Sequence, residues 1–149
     1  MSGTETANNA SMLKRMNHMD YVVRDLDQAI AKFSRIYGPA SYRGESQGVE
    51  YAFFPVGDIF LSLVTPVDPE KSLGKYIKKR LDEKGEGVWH IGYQVDHIEE
   101  AAAALKGHGV HLLNDKARPG GLPEGSWKLI DIAEEETCGL MIQLVEEQS

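Results

Sequence analysis

From Met16 to Val23 the side chains alternate: His18, Asp20 and Val22 fall on one side, Met19, Tyr21 and Val23 on the other. A period of two belongs to a β-strand, so this stretch predicts a strand carrying polar groups on one face. The period then lengthens. Leu26, Ala29, Ile30 and Phe33 follow the spacing of one helix face, and the helix runs to about Tyr37, where Gly38-Pro39 stops it. Asp25 or Asp27 caps its start. Residues 50–56 and 59–65 read as two strands joined in a hairpin by Gly57-Asp58. In the second of them Ile59, Leu61 and Leu63 are core-like, while Phe60, Ser62 and Val64 face the other way. Pro66 and Pro69 close the segment.

Asp68 followed by Pro69 signals a helix start, and Leu73, Tyr76, Ile77 and Leu81 give that helix an apolar face ending near Gly85. The order then repeats as strand 88–95, helix 97–106, short strand 110–113, strand 127–132 and strand 138–145. On the last strand Leu140, Ile142 and Leu144 form the apolar face, and Met141, Gln143 and Val145 point away from it. The breaker-rich run from Pro119 to Gly125 predicts a loop at the rim of a site. Residues 1–13, rich in small polar types, predict a disordered tail. The expected organisation is one domain over 14–147: a first module at 14–66, a linker helix at 67–86 and a second module at 87–147.

The two modules share a sequence pattern. His18-Met-Asp-Tyr-Val-Val-Arg-Asp-Leu-Asp-Gln-Ala29 and His90-Ile-Gly-Tyr-Gln-Val-Asp-His-Ile-Glu-Glu-Ala101 repeat Tyr, Val and Ala at matched offsets. The spacing is too long for a solenoid repeat, so it predicts one α+β domain built from two similar halves. A pseudo-twofold between halves brings their leading histidines together. One histidine opening a strand is ordinarily a polar terminus; two at matched positions suggest a metal. Asp20 shares the His18 face, and a buried acid costs several kcal/mol unless it is paired. It therefore acts as ligand, base or salt-bridge partner. The strand phases assemble an inner shell of His18, Asp20, Ser62, His90 and Gln143.

Composition narrows the classes. Hydrophobic content of 42% and charged content of 26% are those of a globular chain. A net charge of −7 argues against non-specific binding to nucleic acid or anionic membrane. Cys138 is the single cysteine, so no internal disulfide framework exists. Residues 1–15 lack an apolar signal core and no stretch reaches membrane-span length, which predicts a cytoplasmic protein. The run Lys75-Tyr-Ile-Lys-Lys-Arg80 reads as a solvated helix face or as an attractor for a CoA phosphate.

The duplicated βαβββ pattern with a leading histidine in each half resembles the vicinal oxygen chelate superfamily (glyoxalase, bleomycin resistance, dioxygenase). Asn17-His18, Gly85-Glu-Gly-Val-Trp-His90-Ile and Gly139-Leu-Met-Ile-Gln143-Leu-Val-Glu look most like the methylmalonyl-CoA epimerases within it. Gly48-Val-Glu-Tyr-Ala-Phe-Phe-Pro-Val-Gly57 and Asp96-His-Ile-Glu-Glu-Ala fit the same family, and the resemblance covers about residues 16–146. It implies a curved mixed sheet around a cavity and a divalent metal: Co, Zn, Mn, Ni or Fe. His18 and His90 would hold that metal, with Gln143 at the third position, where the family has a carboxylate. Ser62 departs from a fourth, ligand-type position. The family's general base falls near Glu45. A homodimer and an anionic substrate, with CoA thioesters among the candidates, are implied in the same way.

The resulting expectation is a metal-dependent isomerase, epimerase or lyase that forms an enolate, with Glu45 or Asp20 as base. Two neutral imidazoles and an amide leave a divalent charge uncompensated by protein, which an anionic substrate would supply. Neutral Ser62 and Gln143 favour a competing class, a non-catalytic small-molecule binder of the same fold. An extradiol-type iron dioxygenase requires two histidines and one carboxylate, which is met only if Asp20 takes the carboxylate's place.

Overall fold

A computed structural model describes residues 12–121 and 125–148. The expected N-terminal tail falls almost wholly outside these residues. Residues 17–91 form one compact unit, and residues 12–16 with 92–148 form a second.

In the first unit the strand order is β2-β3-β4-β1-β5. β1 (Arg15–Val22) lies parallel to β4 (Ile59–Pro66), pairing His18 with Phe60 and Asp20 with Ser62. β3 (Val49–Val56) runs antiparallel to β4 and pairs Phe53 with Ser62. The β3–β4 hairpin turns at Gly57-Asp58 as expected. Helix α1 (Leu26–Tyr37) is capped by Asp25, whose side chain accepts from the Gln28 N–H at 3.0 Å. It lays Leu26 and Ala29 on Val23, Ala52, Phe54, Leu61 and Leu63. These side chains take the core face of their strands, so the opposite face is left to His18, Asp20, Phe60 and Ser62.

β2 (Tyr42–Ser46) was not visible in the hydrophobic pattern. It is an edge strand whose side chains are all exposed apart from the half-buried Gly44, so no alternation betrays it. Its pairing with β3 is set by a two-residue turn in which Gln47 (φ 53) and Gly48 (φ 87) both take positive φ, the geometry that matches strand twist. The helix expected at Asp68 starts later, as α2 (Ser72–Lys84), with Lys71 at the cap. Asp68 instead receives the Glu70 N–H and closes a turn. The first turn of α2 packs on the β2–β3 turn, with Gly74 N–H donating to Gln47 at 3.0 Å. A Cβ at Gly74 would lie 2.1 Å from the Asp68 carbonyl oxygen, so only glycine allows this approach. Ile77 and Leu81 are the buried apolar side chains of α2.

In the second unit the end of β5 (Gly87–Gln94) leads the order β8-β7-β6. Helix α3 (Ile98–Gly107) buries Ile98, Ala101 and Ala102 against Ile130, Ile132, Ile142 and Leu144. β7 (Trp127–Ile132) matches its expected span. Three expectations change. Residues 110–113 contribute only a bridge between Leu112 and Ile132. Part of the expected rim loop is a short strand, β6 (Arg118–Gly120), paired with β7. The last strand, β8, spans Met141–Glu147, because a 3₁₀ turn at Glu134–Thr137 and a left-handed Cys138 (φ 59) delay its start.

Candidate metal centre

The site is built from β1, β4 and the start of β5. His18 and Asp20 are two residues apart on β1, so strand periodicity puts both on one face. β5 adds His90, whose Nε2 lies 3.0 Å from His18 Nε2 and 3.0 Å from Asp20 Oδ2. One donor atom from each of the three falls within 4.8 Å of the others, the one such group of this kind among the described residues. Asn17, His18, Asp20, Ser62 and His90 are all at least nine-tenths buried.

Each side chain is held by a neighbour. Asn17 Oδ1 sits 2.7 Å from His18 Nδ1 and can only accept. His18 therefore carries its proton on Nδ1 and presents the Nε2 lone pair to the cluster, the orientation that an outer-shell partner imposes on a metal-ligating histidine. The His18 ring stacks on Phe60 at 5.3 Å, and Trp89 stands edge-on to His90 at 4.3 Å. Ser62, opposite Asp20, donates its hydroxyl to the carboxylate.

Burial sets the charge states. It raises the Asp20 carboxyl from 3.8 to about 7, and the Ser62 hydroxyl pulls in the other direction without cancelling the effect. It lowers His18 from 6.5 to about 4, so that imidazole is neutral at pH 7. Near neutrality the cluster offers the lone pair of the neutral His18 imidazole and the Nε2 edge of His90 beside a carboxyl that gives up its proton in the same range. Two imidazoles and one carboxylate, oriented and shielded from water, form a donor set that fits a divalent transition metal.

Glu45 is exposed on β2 opposite Glu50, a position two removed from Arg43. Arg43 bonds Asp27 of α1 at 2.7 Å and Glu50 at 3.2 Å, so this is the helix-bearing face of the sheet. Tyr42, Phe53 and Ser62 share the row and face of Asp20; Glu45 does not. Gln143 belongs to the second unit, where its Nε2 donates to Asp131 Oδ1 at 2.9 Å. Asp131 in turn accepts from Arg118 at 2.8 Å. Asn17 belongs to the family-like Asn17-His18 pair, but the sequence alone assigned it no role in the site. The one local signal for it was its place directly before His18.

Residues 17–128 match the Glyoxalase/Bleomycin resistance protein/Dioxygenase superfamily. The uncharacterised protein YqjC of Bacillus subtilis is 26% identical over 137 residues, covering 90% of this chain and 93% of that protein. Bovine mitochondrial methylmalonyl-CoA epimerase is 28% identical over 113 residues, covering 72% of this chain and 62% of the enzyme. The chain thus spans about three-fifths of that relative's length. Among solved structures, methylmalonyl-CoA epimerase from Mycobacterium tuberculosis superposes with a TM-score of 0.77 at 24% identity, covering 94% of this chain and 92% of that one. The Streptomyces coelicolor methylmalonyl-CoA epimerase in complex with 2-nitronate-propionyl-CoA gives 0.73 at 26% identity, covering 91% and 95%. No helix among the described residues is long and apolar enough to cross a membrane. With the βαβββ modules, the paired histidines and a match over most of its length, the chain belongs to the glyoxalase/bleomycin resistance/dioxygenase superfamily and has the glyoxalase-like α+β fold.

Proposed function

We propose that this chain is a divalent-metal-dependent enzyme of the methylmalonyl-CoA epimerase type, which moves a proton α to the carbonyl of an acyl thioester or small carboxylate. The observation that carries the proposal is the convergence of His18, Asp20 and His90 in one buried cluster. The similarity to methylmalonyl-CoA epimerases supports the reaction type. His18 and His90 would hold the ion. When bound, such an ion polarises a substrate carbonyl and acidifies the neighbouring C–H. Asn17 keeps His18 in the tautomer that offers Nε2. Asp20 takes the proton on a carboxylate oxygen: with its pKa raised to about 7 it is poised between forms at neutral pH, as a general base requires. Ser62 holds that carboxylate in place, and the burial of the cluster keeps bulk water from competing. Glu45, on the opposite face, has no part in this scheme.

The test is exchange of the α-hydrogen of methylmalonyl-CoA in deuterated water, followed by NMR, with metal content measured on the same sample. The expected result is exchange that disappears on chelation and returns on adding Co²⁺ or Mn²⁺. Exchange unaffected by chelator would sink the proposal, and a protein that binds ligand without metal or turnover would be the non-catalytic binder.

A second reading draws on the donor set itself. Two histidines and a carboxylate are the ligands of non-haem iron(II) oxygenases, and there Asp20 would be a ligand instead of a base. Asp20→Asn separates the two. It abolishes proton exchange while His18 and His90 still take up metal in the first reading, and it abolishes iron uptake in the second.

A further inference from the structure

The face of the first unit that carries the cluster also carries an unbroken run of aromatic rings. Phe60 stacks on His18 with centroids 5.3 Å apart and planes at 11°. Phe53 meets Phe60 at 4.7 Å, Tyr51 stacks on Phe53 at 5.3 Å, and Tyr42 completes the run at 5.5 Å from Phe53. The register accounts for this: Tyr42, Phe53, Ser62 and Asp20 lie in one row across β2, β3, β4 and β1. These rings are not core. The core of this unit lies on the other face, under α1. Phe53, Phe60 and Tyr51 stay partly exposed, and Tyr42 is 39% exposed. At the far end a Cβ on Gly44 would lie 2.9 Å from the Tyr42 hydroxyl and 3.2 Å from that of Tyr51, so glycine lets both phenols fold over the strand.

We infer that the substrate carries an aromatic ring bonded directly beside its chelating oxygens, and that Phe60 and Phe53 form the subsite for this ring. The inference rests on the proposed metal-dependent activity and narrows its substrate class to aryl-substituted acyl compounds. The reason is one of distance. A group held at His18 and His90 has its α-substituent next to Phe60, whereas a ring at the remote end of a CoA chain would not be positioned by a wall that begins at a metal ligand. Partly exposed aromatic faces reward a planar, apolar partner and offer nothing to a methyl group beyond its small area. The two phenols place polar groups at the outer end of the wall, where a ring substituent would meet them.

Phenylmalonate and methylmalonate share one chelating head and differ only in the α-substituent, so they isolate the ring. In calorimetric titrations of Co²⁺-loaded protein, phenylmalonate is expected to bind at least tenfold more tightly. Phe53→Leu should reduce that preference to under about threefold and leave methylmalonate unaffected. Tyr42→Ala, at an exposed edge position, should weaken phenylmalonate alone and guards against a folding defect in the Phe53 variant. Intact Co²⁺ uptake with equal affinity for the two ligands, with no phenylmalonate binding, or with a preference that survives both variants overturns the aryl subsite. Absence of Co²⁺ uptake overturns the metal reading instead. The ring preference is then read from saturation-transfer NMR on metal-free protein, where equal signals from both ligands overturn it.

Discussion

Replacing Asp20 with asparagine removes a buried charge with almost no change of shape, and the cost of that charge follows from its environment. Burial lifts the carboxyl from 3.8 to about 7, and at 1.36 kcal/mol per pH unit the ionised form costs the folded protein about 4 kcal/mol above pH 8. The sign follows from proton counting. Between the two pKa values the unfolded chain has released the proton and the folded one still holds it, so stability falls as pH rises through this window. His18 opposes it: lowered from 6.5 to about 4, it makes stability rise with pH across that narrower range. In the wild type the two slopes offset each other up to about pH 6.5, and the Asp20 cost alone remains above. Asn retains an acceptor for the Ser62 hydroxyl and for His90 Nε2, 3.0 Å away, but bonds both less strongly than a carboxylate, a loss of about 1–2 kcal/mol. Metal-free Asp20→Asn should therefore be more stable than wild type by roughly 2–3 kcal/mol at pH 8, or roughly 4–12 °C in Tm. At pH 4 the difference should vanish or reverse. Thermal and urea unfolding in EDTA, followed by fluorescence of Trp89 and Trp127, measures this. If the variant is less stable than wild type at pH 8, the carboxylate is stabilised by a structural partner and the reasoning about a strained, metal-ready acid is wrong.

Other outcomes follow from the same geometry. His90→Ala should abolish uptake of one divalent ion per chain, measured by elemental analysis, while far-UV circular dichroism stays that of the wild type. Asn17→Ala frees the His18 tautomer and should weaken metal binding about 10- to 100-fold in calorimetry without removing a ligand. Gln143→Glu puts a second carboxylate 2.9 Å from Asp131 in place of a donor. It should destabilise the protein by about 1–3 kcal/mol at pH 7, with recovery toward pH 4 as a carboxyl protonates. An unfolding midpoint unchanged at pH 7 would contradict that contact.

Much of the site was legible because strand periodicity is local. Alternation alone put His18 with Asp20 on β1 and Phe60 with Ser62 on β4, since successive side chains on a strand must leave opposite faces whatever surrounds them. The same locality accounts for the Asp25 cap and the Gly57-Asp58 turn: a cap and a tight turn are decided within four residues. The repeat also pointed correctly to His18 and His90 as partners, because similar halves place equivalent residues alike. What could not be read locally was anything set by pairing between distant segments. β2 escaped notice because an edge strand buries no side, and Glu45 could be given a face only after its pairing with Glu50 was known. Gln143 was expected at the third metal position, and its bond to Asp131 is seen only once β7 is paired with β8. The decisive case is Asp20. Its position on β1 showed that it was a buried acid, but its proton affinity depends on the water excluded around it and on Ser62 across the sheet. Those are properties of packed neighbours, and only the tertiary structure supplies them.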